Sequence, residues 1–98
     1  MSQPNGKQYQ LKYTSGVKTA LKLLADNVRE DIIEAINELT FNPEPDDSIQ
    51  LRDPYVTHRR IAIGRYRIVY KVKEEDNQIW IVSVKKRGPA TYNYLTQN

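Results

Sequence analysis

Arg60, Arg67, Lys71 and Lys73 recur at strand spacing, and Lys85 and Arg87 do so again further along the chain. No acidic residue interrupts the stretch from His58 to Lys73. Each arginine offers a planar fork of N–H donors that fits phosphate oxygens, so arginines converging on one surface make a phosphodiester site. Cleaving RNA without a metal requires a group to take the 2′-hydroxyl proton, positive charge to stabilise the phosphorane, and a donor for the leaving 5′-oxygen. Cations meet the second need. Arginine stays protonated and cannot serve as an ordinary base. Lys71, Lys85 and Lys86 are candidates for tuning by neighbouring cations, while Tyr92 and Tyr94 can relay protons or stack on a base. His58, the only histidine, is expected to be structural or exposed. There is no His/Asp/Glu spacing for a metal, no phosphate-binding glycine loop and no nucleophile elbow.

These residues need a sheet to position them. From His58 to Lys73 the pattern is two strands joined by a tight turn at Gly64-Arg65. Ile61 and Ile63, then Tyr66, Ile68, Tyr70 and Val72, take one face, and Arg60, Arg67, Lys71 and Lys73 the other. Glu74–Asn77 forms a turn. Gln78 to Lys86 is the last strand, apolar on both faces from Ile79 to Val84, as an interior strand would be. Trp80, Tyr66 and Tyr70 are expected in the core. If helices cover the Tyr66/Ile68/Tyr70 side, Arg60, Arg67 and Arg87 meet on the other.

The covering helices precede the sheet. Tyr9 to Tyr13 alternates as a short strand, and Thr14 or Ser15 can cap a helix carrying Val17, Ala20, Leu21 and Leu24 at helical spacing. Asp26-Asn27 breaks it, and Asn27 with Glu30 makes a capping-box-like start for a second helix. Its buried stripe is Val28, Ile32, Ala35, Ile36 and Leu39, and Asn42-Pro43 stops it. Residues 42–48 are a loop and Ile49–Leu51 a short extended piece. Met1–Lys7 is expected to fray, and residues 90–95 can add a short C-terminal helix. The expected architecture is one α+β domain over residues 1–98: an N-terminal strand, then a helical hairpin packed on a mostly antiparallel four-stranded sheet. Whether the N-terminal strand pairs in parallel with a later one is not legible from the pattern.

The string Arg60-Ile61-x-Ile63-Gly64-x-Tyr66-Arg67-Ile68-Val69-Tyr70, followed by Val82-Ser83-Val84-Lys85-Lys86-Arg87, resembles the RelE/ParE superfamily, the small toxins of bacterial toxin–antitoxin pairs. The likeness extends from about Tyr9 to Leu95. It implies a ribosome-dependent endonuclease that cuts mRNA by 2′-hydroxyl attack, using a cationic cluster and a C-terminal tyrosine, with no cofactor. On that resemblance Arg67 is the hairpin arginine on the scissile phosphate, Arg87 the arginine ending the last strand, and Tyr92 the catalytic tyrosine. Arg60, Lys71, Lys85, Lys86 and Tyr94 bind substrate. Position 62, often basic in the active enzymes, is Ala62, and neither Tyr92 nor Tyr94 falls in register without a shift. The same fold implies two alternatives: a ParE-like non-enzymatic inhibitor of DNA gyrase, or a decayed toxin that retains only antitoxin binding. The implied partners are a cognate antitoxin, the ribosome and mRNA.

Composition is compatible with this. Ninety-eight residues make one domain with one modest core. Without cysteine there are no disulfides or thiolate metal sites, which fits the reducing cytoplasm. No apolar run is long enough to span a bilayer. Residues 1–50 carry five Lys/Arg and eight Asp/Glu, net −3; residues 51–98 carry ten and four, net +6, which together give the overall +3. The basic half suggests a polyanionic partner.

Overall fold

The computed structural model describes residues 8–52 and 57–87. The chain runs β1 (Gln10–Tyr13), α1 (Ser15–Lys22), α2 (Asp26–Leu39), β2 (Ile49–Gln50), β3 (His58–Ile63), β4 (Tyr66–Lys73), a 3-10 turn at Glu74–Asp76, and β5 (Gln78–Lys86). The sheet has five strands in the order β1-β5-β4-β3-β2. The fifth strand beyond expectation is the two-residue β2, paired antiparallel to β3. β1 pairs in parallel with β5, from Gln10 opposite Gln78 to Tyr13 opposite Ile81. β1 thus forms one edge of the sheet, and α1 and α2 lie over one of its faces. The expected C-terminal helix and the expected fraying of Met1–Lys7 lie outside the described residues.

Both helices bury their stripes on the same face. Val17 and Leu21 from α1 and Ile32, Ile36 and Leu39 from α2 meet Ile61, Ile68, Tyr70, Ile79, Ile81 and Val84 of the sheet. Thr14 caps α1, its hydroxyl accepting from the Val17 amide. α2 starts a residue before the expected cap: Ala25 is its N-cap, without a side-chain bond. Arg29 supplies the order there instead. It pairs with Asp26 in the first turn and donates to the carbonyls of Leu24 (2.9 Å) and Leu21 (3.4 Å), where α1 ends. A chain-local capping box is therefore replaced by a side chain that binds the two helix ends together.

The β3–β4 turn has two loop residues. Gly64, at φ +58°, is the first and the only one with positive φ, the pattern of a type II′ turn, which favours glycine there. Asn77, also at φ +58°, closes the β4–β5 turn. Tyr70 is fully buried, and its hydroxyl donates to the Pro43 carbonyl at 2.7 Å. Beside it Arg59 donates through Nε (3.0 Å) and Nη2 (2.7 Å) to the Ser48 hydroxyl. These bonds hold the 42–48 loop on the sheet.

Candidate functional site: a cationic sheet face

Because β3, β4 and β5 are paired residue by residue, the side chains on the face away from the helices fall into rows. Ala62, Arg67 and Lys85 are opposed in one row. Arg60, Val69 and Ser83 form the next, with Ile49 beside Arg60 at the β2 edge. His58, Lys71, Trp80 and Lys12 form a third, spanning four strands. Lys73 and Gln78 follow, with Gln10 next to Gln78. Directly opposed side chains in such a ladder stand about 4.5–5.5 Å apart at Cβ. Six cations (Lys12, Arg60, Arg67, Lys71, Lys73 and Lys85) therefore share this face. The one carboxylate paired with any of them among the described residues is Asp76, 3.5 Å from Lys73 at the far end. The acids of α2 (Asp26, Glu30, Asp31, Glu34 and Glu38) lie on the opposite layer. That layer also carries Lys18, Lys22 and Arg29, so its charge is mixed while the sheet face is cationic.

A register irregularity makes this face possible. The β4–β5 ladder shifts between Val69 and Tyr70: Tyr70 opposes Ile81 while Val69 opposes Ser83, leaving Val82 as the extra residue of a β-bulge. Ile79 and Ile81 point to the helices before the bulge and Val84 does so after it. Strict alternation from Ile79 would have driven Val84 outward and Lys85 into the core. The apolar run from Ile79 to Val84 is thus not a doubly covered strand but two alternating segments out of phase.

The structure brings Arg60, Arg67, Lys71 and Lys85 onto one face. Arg67 is half-buried, with its Nε shielded from solvent. Arg87 is exposed, and its amide donates to the Arg65 carbonyl, continuing the ladder one residue past β5 so that Arg87 follows Lys85 on the cationic side. Lys86 is not part of this group. It opposes Tyr66 on the helix side and lines a cavity of about 290 Å³ with Val28, Asp31, Ile63 and Arg65. Its neighbours in the basic run are similar in type, but strand alternation sends it the other way. Tyr92 and Tyr94 lie outside the described residues.

Trp80 corrects the expectation of a core residue. It is half-buried on the cationic face, with Lys71 opposite it on one side and Lys12 on the other. Ile79 and Ile81 on either side of it are buried beneath the helices, so strand alternation turns Trp80 to the opposite face. Lys12, from the acidic half of the chain, joins this face only through the parallel β1–β5 pairing. The His58 imidazole is held below its ordinary range, first by burial and then by the Lys71 charge. Tyr70 is displaced upward by burial, which keeps its phenol protonated, as its bond to Pro43 requires. Among the described residues no three His, Asp or Glu side chains are grouped to hold a metal, and no helix is long and apolar enough to cross a membrane.

The helical hairpin laid over one face of a β1-β5-β4-β3-β2 sheet matches the fold of solved RelE toxins. The family model described as the ParE toxin of type II toxin–antitoxin systems (parDE) matches residues 9–89, and this chain belongs to that family. Among solved structures, the archaeal RelE–RelB complex from Pyrococcus horikoshii is 30% identical, over 83% of this chain and 97% of that one, with a TM-score of 0.73. The RelBE2 toxin–antitoxin complex from Mycobacterium tuberculosis is 20% identical, over 91% and 100%, at 0.74. The isolated RelE toxin of E. coli is 22% identical, over 88% and 93%, at 0.72. No curated protein matches the sequence.

Proposed function

We propose that this toxin is a ribosome-dependent endoribonuclease that cuts mRNA at the decoding site and so arrests translation in the cytoplasm. The observation that carries the reading is the row of Arg67 and Lys85, flanked by Arg60 and continued by Arg87, on a sheet face whose only paired carboxylate among the described residues is remote. The 30% identity to an archaeal RelE supports it.

In this mechanism Arg67 grips the scissile phosphate and Arg87 the developing charge on the phosphorane, while Arg60, Lys71 and Lys85 hold flanking phosphates. The 2′-oxygen loses its proton and attacks phosphorus. The P–O5′ bond breaks, leaving a 2′,3′-cyclic phosphate and a 5′-hydroxyl that takes up a proton. Tyr92 is the proposed proton-transfer group and Tyr94 the proposed stacking partner. A protein of this size gains from a ribosome that presents the codon in a fixed geometry, because positioning is the contribution a small site supplies least well. The proposed partner in the resting cell is a RelB-type antitoxin with acidic segments, attracted by the cationic face.

The test is inducible expression in a bacterium with primer extension on abundant mRNAs, comparing wild type with Arg67→Ala. Growth arrest with new cuts inside translated codons, absent in the variant, is the expected result. A second reading has a specific observation behind it: Ala62 leaves the Arg67 row one cation short of the active-enzyme pattern, and the matching family model is that of ParE. In that case the toxin inhibits DNA gyrase without cleaving RNA. Arrest with intact mRNA and altered plasmid supercoiling would select it. Absence of arrest would leave antitoxin binding as the remaining role.

A further inference from the structure

Trp80 is the only tryptophan in the chain, and it sits on the cationic face with a lysine directly opposed on each neighbouring strand, Lys71 on β4 and Lys12 on β1. We infer that Trp80, Lys12 and Lys71 form a nucleotide subsite, in which the indole stacks on a base of the RNA strand while the two ammonium groups hold the phosphates on either side of it. The inference rests on the ribonuclease reading for the identity of the strand; Trp80 and Lys12 lie outside the residues proposed for cleavage, and Lys71 is shared with them only as a holder of a flanking phosphate.

Three observations support it. First, the indole is oriented. Its Nε1 donates to the Gln78 side-chain oxygen at 2.9 Å, two residues back on the same face, so the ring is tethered along the strand. A base stacking on a ring already held in place forfeits less entropy than one that must order it. Second, the flanking charges are available. Among the described residues no carboxylate pairs with Lys12 or Lys71, whereas Lys73 in the next row is engaged by Asp76. An aromatic ring between two unneutralised cations is the composition of single-strand binding grooves, where stacking tolerates any base and cations follow the backbone. Third, the spacing suits a continuous strand. Lys71 lies four residues from Arg67 on β4, about 13 Å at the rise of a β-strand. The row of Arg60, Val69 and Ser83 lies between them, and the Val82 bulge there adds local twist. An RNA strand extended along β4 spans the distance from the Arg67 row to Trp80 in a few nucleotides.

The competing account is purely internal: the lysine stems pack on the indole and the cluster stabilises the sheet edge. Tryptophan fluorescence separates the two, because the signal has a single source. At low salt, an adenosine hexaribonucleotide is titrated into the full-length toxin, with binding followed in parallel by the anisotropy of a labelled copy. Quenching that tracks the anisotropy, and that weakens when one internal position is abasic, is expected. Trp80→Ala is expected to weaken binding roughly 5- to 150-fold, the span that loss of one base–aromatic stack covers, while Trp80→Phe retains most of it. Arg67→Ala is expected to keep the quenching while abolishing cleavage. Unchanged fluorescence at saturating RNA, equal binding by the abasic strand, a Trp80→Ala defect confined to melting temperature, or no oligonucleotide binding at all overturns the subsite. Cleavage of mRNA on translating ribosomes, measured with the same proteins, tells the failures apart. If cleavage persists the subsite alone is wrong, and if cleavage is also absent the ribonuclease reading falls with it.

Discussion

Ala62 is exposed and stands directly opposite Arg67, which is in turn opposite Lys85. Ala62→Lys therefore completes a row of three cations without burying anything. Its cost is repulsion. With charged ends about 6–8 Å apart in water, the pair interaction is about 0.5–0.7 kcal/mol, and like charges directly opposed in a ladder cost a similar amount. At roughly 4–8 °C per kcal/mol for a domain of this size, melting should fall by about 2–5 °C. The gain lies in the transition state. An ammonium about 5 Å from a phosphorane oxygen, at an effective dielectric of about 20, interacts by about 3 kcal/mol per unit charge. Only the part that grows between bound substrate and transition state accelerates chemistry. Taking that part as a third to a half gives about 1–1.5 kcal/mol, or roughly 5- to 13-fold in rate. The assay is single-turnover cleavage on ribosomes programmed with a defined message, with Ala62→Gln as the neutral control of similar length. If the folded lysine variant cleaves no faster than the glutamine variant, the scissile phosphate does not sit over this row, and the gyrase reading gains.

Other perturbations probe how the face is held. Tyr70→Phe removes the donor to the Pro43 carbonyl and should cost about 1–3 kcal/mol in urea unfolding; a loss below about 0.5 kcal/mol would mean that the loop is not anchored there. His58 favours its neutral form in the fold, so the unfolded chain takes up a proton more readily. The stability tied to His58 is complete above the ordinary pKa of 6.5 and is lost as pH falls through 6.5 toward the depressed value. Melting followed from pH 7.5 to 5 should show this loss, and His58→Asn should flatten it. Deleting Val82 removes the bulge and lets Ser83 oppose Val69 in regular register, so Val84 and Lys85 keep their faces. The deletion should fold with a loss of about 1–2 kcal/mol from the missing half-buried valine, whereas an alanine inserted between Val84 and Lys85 should turn Lys85 toward the helices and slow cleavage while leaving oligonucleotide binding at Trp80 in place.

The central hairpin was legible in sequence because its signals are local. Period-two alternation from Arg60 to Lys73 fixes which side chains oppose the core, and Gly64 marks the one tight turn between the strands. The apolar stripes of both helices were legible for the same reason. The less accurate readings came where a local pattern has two solutions. Asn27 and Glu30 form a plausible capping box, but Asp26 and Arg29 join two helix ends that become neighbours only after folding. Lys85-Lys86-Arg87 looks uniform by composition, yet Lys86 faces Asp31 and Tyr66 while its neighbours face away.

The sequence by itself determined the family, the helical hairpin, the two-faced β3–β4 hairpin and the placement of Arg60, Arg67 and Lys71 on one side of it, because each depends on residues a few positions apart. Tertiary structure alone decided three things. Parallel pairing of β1 with β5 brought Lys12 beside Trp80, a contact across sixty-eight positions of sequence. The bulge at Val82 reset the phase of β5 and chose Lys85 for the cationic face over Lys86. The packing of both helices on the Ile79/Ile81 side left Trp80 on the other. These outcomes follow from the requirement that every strand turn its apolar residues toward a common core while keeping its backbone bonds, a condition that only the assembled sheet can impose.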